Sequence, residues 1–249
     1  MGDLPRPNGS GAIDERPRAG SRVFAMCNQA CLAYGEQHLV EADVRGRRVI
    51  EVGARNVNGS LRGFVEGFGP ARYVGVDIEA GPGVDEVCNA EDLVDRFGAE
   101  SFDVVICTEM LEHVRDWRIV VSNLKRLVAP GGVLLVTTRS IGFPYHAFPW
   151  DFWRYENDDM RAIFSDLTVE NVESDPMAPG VFMTARRGAR FVEKDLAPYE
   201  LYSMVRRDRC RDLNRVEELW FVNRWRVRRV VAKRLPPRLK AVLKGSGTS

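Results

Sequence analysis

Residues 48–59 read RVIEVGARNVNG, residues 73–78 read YVGVDI, and residues 102–114 read FDVVICTEMLEHV. Each begins with a short, β-branched, non-alternating apolar run and ends in an acidic or polar residue at a turn. Such runs are too short for core helices and lack the alternation of half-exposed strands. They predict strands buried on both faces, as in parallel sheets. Between them, 59–68 predicts a helix closed by Gly69-Pro70, 84–88 a short strand, and 90–97 a helix. Asp116 is the expected N-cap of a helix running to Val128. Pro130-Gly131-Gly132 reads as a turn, and Val133–Thr137 as a further strand. The alternation predicts an α/β fold: a doubly wound, mostly parallel sheet with right-handed crossovers.

Outward from this core, 21–41 carries apolar residues at a helical period and predicts a leading helix. A late helix (158–164) and two strands (167–172 and 181–185) are expected to finish the sheet with a hairpin-like edge. Met1–Gly20, rich in Pro, Gly, Arg and Asp, is expected to be a mobile tail. The domain is then expected over 21–190. Residues 191–249 form a basic, aromatic extension that reads as helical. No acid follows Glu218.

The bulk composition narrows the options little. The 249 residues are 45% hydrophobic and 29% charged, with a net charge of +1, so overall charge marks no partner. Five cysteines lack framework spacing and predict reduced thiols. Cys27 and Cys31 share a helical face, without the further ligands a metal site needs. No apolar run reaches the about 18–20 residues of a membrane span, and a signal-peptide core is not visible. The expected address is the cytoplasm.

In open parallel sheets, ligands bind at the carboxyl ends of the strands. Glu51, Gly53 and Gly59 flank the first such turn, where backbone N–H groups can meet a carboxylate. Asp77 ends the second strand, where a carboxylate can accept both hydroxyls of a ribose.

The succession 49–53 with Gly59, 75–77, 102–113 and 127–135 resembles the class I methyltransferases that use S-adenosylmethionine, over roughly residues 49–172. The resemblance implies a Rossmann-like sheet of seven strands. It implies that Glu51, Gly53, Arg55 and Gly59 surround the methionine part of the cofactor and that Asp77 holds its ribose. Asn89, Ala90 and Glu91 would meet the adenine. Thr108 and Glu109 would face the methionine part and the transferred methyl. The sequence departs from the family at the first loop, where Arg55 and Val57 replace two usual glycines. A dinucleotide-binding reading fails because its Gly-x-Gly-x-x-Gly lacks the second Gly.

Methyl transfer to a hydroxyl is helped by a base. The chain has three histidines: His38, expected to be structural, and His113 and His146, the candidate catalytic residues. His146 lies in the stretch His146-Ala-Phe-Pro-Trp-Asp151-Phe-Trp153-Arg154, which resembles the post-strand segment of glycan and secondary-metabolite methyltransferases. A metal-free site is expected. The alternative ligand set is Glu109, Glu112 and His113, because Glu-x-x-Glu-His resembles the metal motif of ubiquinone-pathway O-methyltransferases, with His146 as a fourth ligand. The expected substrate is a hydroxyl on a small molecule, secondary metabolite or glycan. Arg224–Lys244 could touch an anionic membrane surface, and nucleic acid is not expected. Two other functions stand beside this one: a metal-assisted RNA 2′-O-methyltransferase, and a non-catalytic cofactor-binding scaffold tethered by the basic tail.

Overall fold

The computed structural model describes residues 29–146 and 150–217, together with Leu219, Phe221 and Asn223. The elements run in the order α1 (Gln29–His38), α2 (Glu41–Val44), β1 (Arg48–Val52), α3 (Arg62–Gly67), β2 (Arg72–Asp77) and β3 (Glu86–Val87). There follow α4 (Leu93–Phe97), β4 (Phe102–Thr108), α5 (Trp117–Leu127), β5 (Val128–Arg139), β6 (Trp153–Arg154) and α6 (Asn157–Ile163). The chain continues through β7 (Thr168–Ser174), β8 (Gly180–Arg186), β9 (Leu201–Ser203) and β10 (Asp208–Cys210).

Seven strands form one sheet in the order β3-β2-β1-β4-β5-β8-β7. The first five are parallel, and β8 runs antiparallel to both β5 and β7. This is the expected doubly wound sheet with its late hairpin edge. Alternation along the central strands divides the core into two layers. Ile50, Val52, Val105, Cys107, Leu134 and Val136 pack on one side with Leu93, Trp117, Val121 and Met160. Val49, Val104, Ile106, Val133 and Leu135 pack on the other with Cys31, Tyr34, Leu61 and Val65.

Several elements differ from their sequence expectation. The leading helix breaks at Leu39–Val40 into α1 and α2, and its first part, with Cys27, lies outside the described residues. Cys31 is buried, with Sγ 3.2 Å from Thr137 Oγ1. Asp116 makes no side-chain cap on α5 and pairs instead with Arg115 at 3.2 Å. Pro130-Gly131-Gly132 is not a turn between elements, because β5 runs straight through it. Gly131 takes φ +80° there and its N–H reaches Arg187 O at 2.7 Å, while the register against β4 shifts between Phe102 and Val104. The strand therefore absorbs the glycines as an irregularity.

The segment after Arg190 opens with strand rather than helix. β9 and β10 pair antiparallel, and β9 pairs with β6 to make a small second sheet. Helical backbone resumes at Arg215–Glu217. Residues 1–28 and the basic stretch Arg224–Lys244 lie outside the described residues. Among the described residues no helix is long and apolar enough to cross a membrane.

Gly75, in β2, lies hard against the loop that follows the strand. A Cβ there would lie 2.1 Å from Gly83 O and 2.9 Å from Ala54 Cβ. Gly75→Ala is expected to cost about 1–3 kcal/mol by overpacking. An unchanged midpoint in urea unfolding would contradict that contact.

Candidate active site

A cavity of about 360 Å³ opens at the carboxyl ends of β1, β2 and β4. It lies where the strand order reverses: the chain winds outward from β1 to β2 and β3, then crosses back to β4. Its wall contains all ten residues singled out for cofactor contact, in three groups. Glu51, Gly53, Arg55 and Gly59 come from the end of β1 and its loop. Asp77, Asn89, Ala90 and Glu91 come from the end of β2 and the turn before α4. Thr108 and Glu109 come from the end of β4.

The first loop shows how the chain manages without the usual glycines. Among the described residues, positive φ in this loop is confined to Gly53 (+80°) and Gly59 (+136°). A Cβ on Gly53 would lie 2.9 Å from Met110 Cβ. Between them, Asn56 Oδ1 accepts from Gly59 N at 3.0 Å, a side-chain turn of the kind that Asn favours. Asn56 N donates to Pro82 O at 2.8 Å, tying the loop to the one after β2. Val57 is exposed, and the Arg55 guanidinium pairs with Glu79. The two substituted positions thus take ordinary backbone conformations, and both residues line the cavity.

Asp77 sits at the tip of β2. Arg55 N donates to one of its carboxylate oxygens at 3.2 Å and Glu79 N to the other at 3.1 Å. Two backbone donors orient the carboxylate, and its remaining lone pairs stay available to a ligand. Glu51 is buried and accepts from Tyr73 Oη at 2.6 Å and Ser60 Oγ at 3.3 Å. Burial raises its pKa, while those two bonds oppose the rise. Asn89 has a second task, because its Oδ1 accepts from Glu91 N at 3.1 Å and caps the short turn that follows.

Behind Thr108 the chain is strained and polar. Glu109 takes φ +53°, a conformation that costs a non-glycine residue energy and collects at functional sites. Its carboxylate pairs with Arg139, which also contacts Asp175 at 3.2 Å; all three residues are buried. Burial and neighbouring Glu112 push the Glu109 carboxyl well up, with Arg139 opposing.

The two candidate catalytic histidines differ in place. His113 lines the cavity. Its Nδ1 lies 2.5 Å from Trp150 O, and because a carbonyl only accepts, Nδ1 carries the proton. His146 lies outside the cavity wall, its ring packed at 4.8 Å on that of His113. Its backbone N and Nδ1 approach Asp151 Oδ2 at 2.9 and 3.0 Å. Asp151 is in turn gripped by both terminal nitrogens of buried Arg154, at 2.5 and 2.7 Å. Burial works against the His146 imidazolium, but bonds to Asp151 and Glu112 prevail and push its pKa up to about 9. Burial opposes the Glu112 charge too, and His146 outweighs it, holding the carboxyl at about 2.

Sequence reasoning missed Ser60, Tyr73, Arg139 and Asp175. Tyr73, Arg139 and Asp175 are separated from their partners by a crossover or a sheet register, and Ser60 reaches Glu51 across the loop after β1. Trp150 and Phe152, from the stretch between His146 and Arg154, also line the wall.

A family model described as a methyltransferase domain matches residues 29–172, more than half the chain. The chain belongs to the methyltransferase-domain family. Similar proteins include the ubiquinone biosynthesis O-methyltransferases of Thiobacillus denitrificans (38% identical over 111 residues) and Pseudomonas syringae pv. tomato (32% over 111 residues). Each alignment covers 39% of this chain and 46% of the relative, so the chain spans about half the length of the curated relatives it matches.

Among solved structures, the 1,6-didemethyltoxoflavin-N1-methyltransferase of Burkholderia thailandensis, with bound 1,6-didemethyltoxoflavin and S-adenosylhomocysteine, superposes with a TM-score of 0.51 at 18% identity. The match covers 66% of this chain and 79% of that one. An S-adenosylmethionine-dependent methyltransferase from Mesorhizobium loti gives the same score and identity, covering 66% and 100%. At this identity the likeness is one of fold, and this methyltransferase domain has the mostly parallel seven-stranded sheet of those proteins.

Removing the Arg139 cation leaves two buried carboxylates without it. Arg139→Met is expected to destabilise the domain by about 3–5 kcal/mol. Chemical denaturation measures this, and a change below 1 kcal/mol would contradict the pairing.

Proposed function

We propose that this domain binds S-adenosylmethionine in the cavity at the ends of β1, β2 and β4 and is an O-methyltransferase acting on a small-molecule hydroxyl. The observation that carries the reading is Asp77: a carboxylate oriented by two backbone N–H groups at the rim of a cavity at the sheet's switch point. Carboxylates in that place suit a pair of vicinal hydroxyls. The residues fit the group: Asp77 would take the ribose hydroxyls, and Asn89, Ala90 and Glu91 would flank the adenine. Gly53, whose bare backbone closes on Met110, would pass beneath the methionine part, with Glu51, Arg55 and Gly59 around it. Thr108 and Glu109 would face the methyl end. When bound, the cofactor supplies an electrophilic methyl group.

The protein's share is positioning and proton handling. An acceptor must be aligned at near-attack distance, and the Trp150 and Phe152 side of the cavity offers an apolar face for it. His113 reaches the wall, and His146 stands behind it, held by Asp151 and Arg154. The histidine pair is where the acceptor's proton would be handled. The O-methyltransferase names of the similar curated proteins favour a hydroxyl acceptor.

Calorimetric titration with S-adenosylhomocysteine tests the cofactor reading. The wild type is expected to bind in the micromolar range. Asp77→Ala is expected to weaken binding about ten- to a hundredfold, the loss that follows from removing charge-assisted hydrogen bonds. A folded wild type that does not bind, or a variant that binds equally well, would overturn the assignment. Gly53→Ala, with its Cβ forced onto Met110 and φ held at +80°, is expected to weaken binding in the same assay. Unaltered affinity would show that the loop does not need that close approach.

A further inference from the structure

The two N–H groups that set the Asp77 carboxylate belong to residues whose side chains are themselves joined. Arg55 N donates to Asp77 Oδ2 at 3.2 Å and Glu79 N to Oδ1 at 3.1 Å. The Arg55 guanidinium pairs with the Glu79 carboxylate. Carboxylate, backbone and ion pair thus close a ring through three residues on two loops, and all three residues line the cavity. We infer that Arg55 and Glu79 form a clasp that holds Asp77 in the orientation that receives a ligand. They are positioning residues for the ribose end of the cofactor, an inference that rests on the cofactor reading above and deepens it.

The two donors differ in what keeps them in place. Glu79 lies two residues after Asp77, so its N–H follows the carboxylate as a local turn. Arg55 comes from the loop after β1, and its N–H stays put only while that loop does. Backbone bonds pin the loop on either side: Gly53 N and Ala54 N reach Val76 O at 2.9 and 3.0 Å, and Asn56 N reaches Pro82 O at 2.8 Å. Arg55 adds a tie through its side chain, to the very residue that supplies the other donor.

The opposite loop is shaped to take that side chain. A Cβ on Gly81 would lie 3.1 Å from Arg55 Nε and 3.2 Å from its Cγ, so bare backbone forms the bed along which the Arg55 stem runs. A Cβ on Gly83 would lie 2.5 Å from Ala54 O, so the two loops meet backbone to backbone. A carboxylate turns easily about its last side-chain torsion. Holding both its oxygens leaves the remaining lone pairs in one orientation, and a group set in advance loses less freedom when its ligand arrives. The side chains are partly exposed, 30% for Arg55 and 58% for Glu79. An ion pair so placed is weak and screened by salt, so the clasp tunes affinity without holding up the fold.

Calorimetric titration with S-adenosylhomocysteine tests the clasp in wild type, Arg55→Met, Asp77→Ala and the double variant. Arg55→Met keeps the stem over Gly81 and removes the charge. It is expected to weaken binding about two- to fivefold, and Glu79→Gln by a similar factor. Arg55→Lys, which keeps the charge, is expected to recover part of the loss. The difference between Arg55→Met and wild type is expected to narrow as ionic strength rises from about 0.05 to about 0.5 M. In the Asp77→Ala background Arg55→Met is expected to cost nothing further, because the clasp acts through that carboxylate. An equal penalty with and without Asp77 overturns the proposal, since Arg55 would then touch the ligand or support the loop on its own account. So does wild-type affinity in both Arg55→Met and Glu79→Gln at low salt. Circular dichroism checks each fold, and Glu79→Gln carries the test should Arg55→Met fail to fold. Failure of the cofactor reading looks different: the folded wild type does not bind, or Asp77→Ala binds equally well, and the clasp falls with it.

Discussion

Strands β1, β4 and β5 are covered on both faces, and that constraint governs everything else in the molecule. A strand sandwiched between two apolar layers has no face left for chemistry, so polar residues gather where its backbone leaves the sheet. Val49 and Ile50 serve opposite layers, and the next residues, Glu51 to Gly53, already belong to the cavity. The same handover occurs at Val76–Asp77 and at Cys107–Thr108. The site is thus the edge of the core, and its rigidity is inherited from the sheet beneath.

The polar side of that edge is unusually deep. Glu109, Glu112, Arg139, Asp151, Arg154 and Asp175 are all buried. Charges taken from water recover their desolvation only through near-complete pairing, and here the pairing runs across several elements: β5 to the loop after β4, β5 to the end of β7, and the segment before β6 to β6 itself. The arrangement costs stability that an apolar core would not lose. What it provides is orientation: a left-handed Glu109 and two histidines whose Nδ1 atoms are committed.

The fold was readable because its signals are local. The runs at 48–52, 73–78 and 102–107 are short, β-branched and bounded by turns, and each became a strand. The residues expected to meet the cofactor share one cavity wall for the same reason, since a position just after a strand is fixed by the strand. What escaped were relations between distant segments. Tyr73 finds Glu51 through the β1–β2 register, and Arg139 finds Glu109 and Asp175 through tertiary packing. The Pro130-Gly131-Gly132 run misled because turn chemistry was taken as local, whereas pairing to β4 and the bond to Arg187 carried the strand through it. The Trp153–Arg154 strand was hidden because its partner lies about fifty residues on, in β9.

That small second sheet bears on where the folding unit stops. The family match ends at residue 172, yet Met204 N donates to Phe152 O at 2.8 Å, Arg118 donates to the carbonyls of Leu196, Tyr199 and Arg211, and Tyr199 Oη donates to Asp159. Residues 196–213 act as a brace nailed across the wall that carries Asp151. The matched family domain and the hydrogen-bonded unit therefore have different borders in this chain: a segment beyond the matched residues holds part of the matched domain in place.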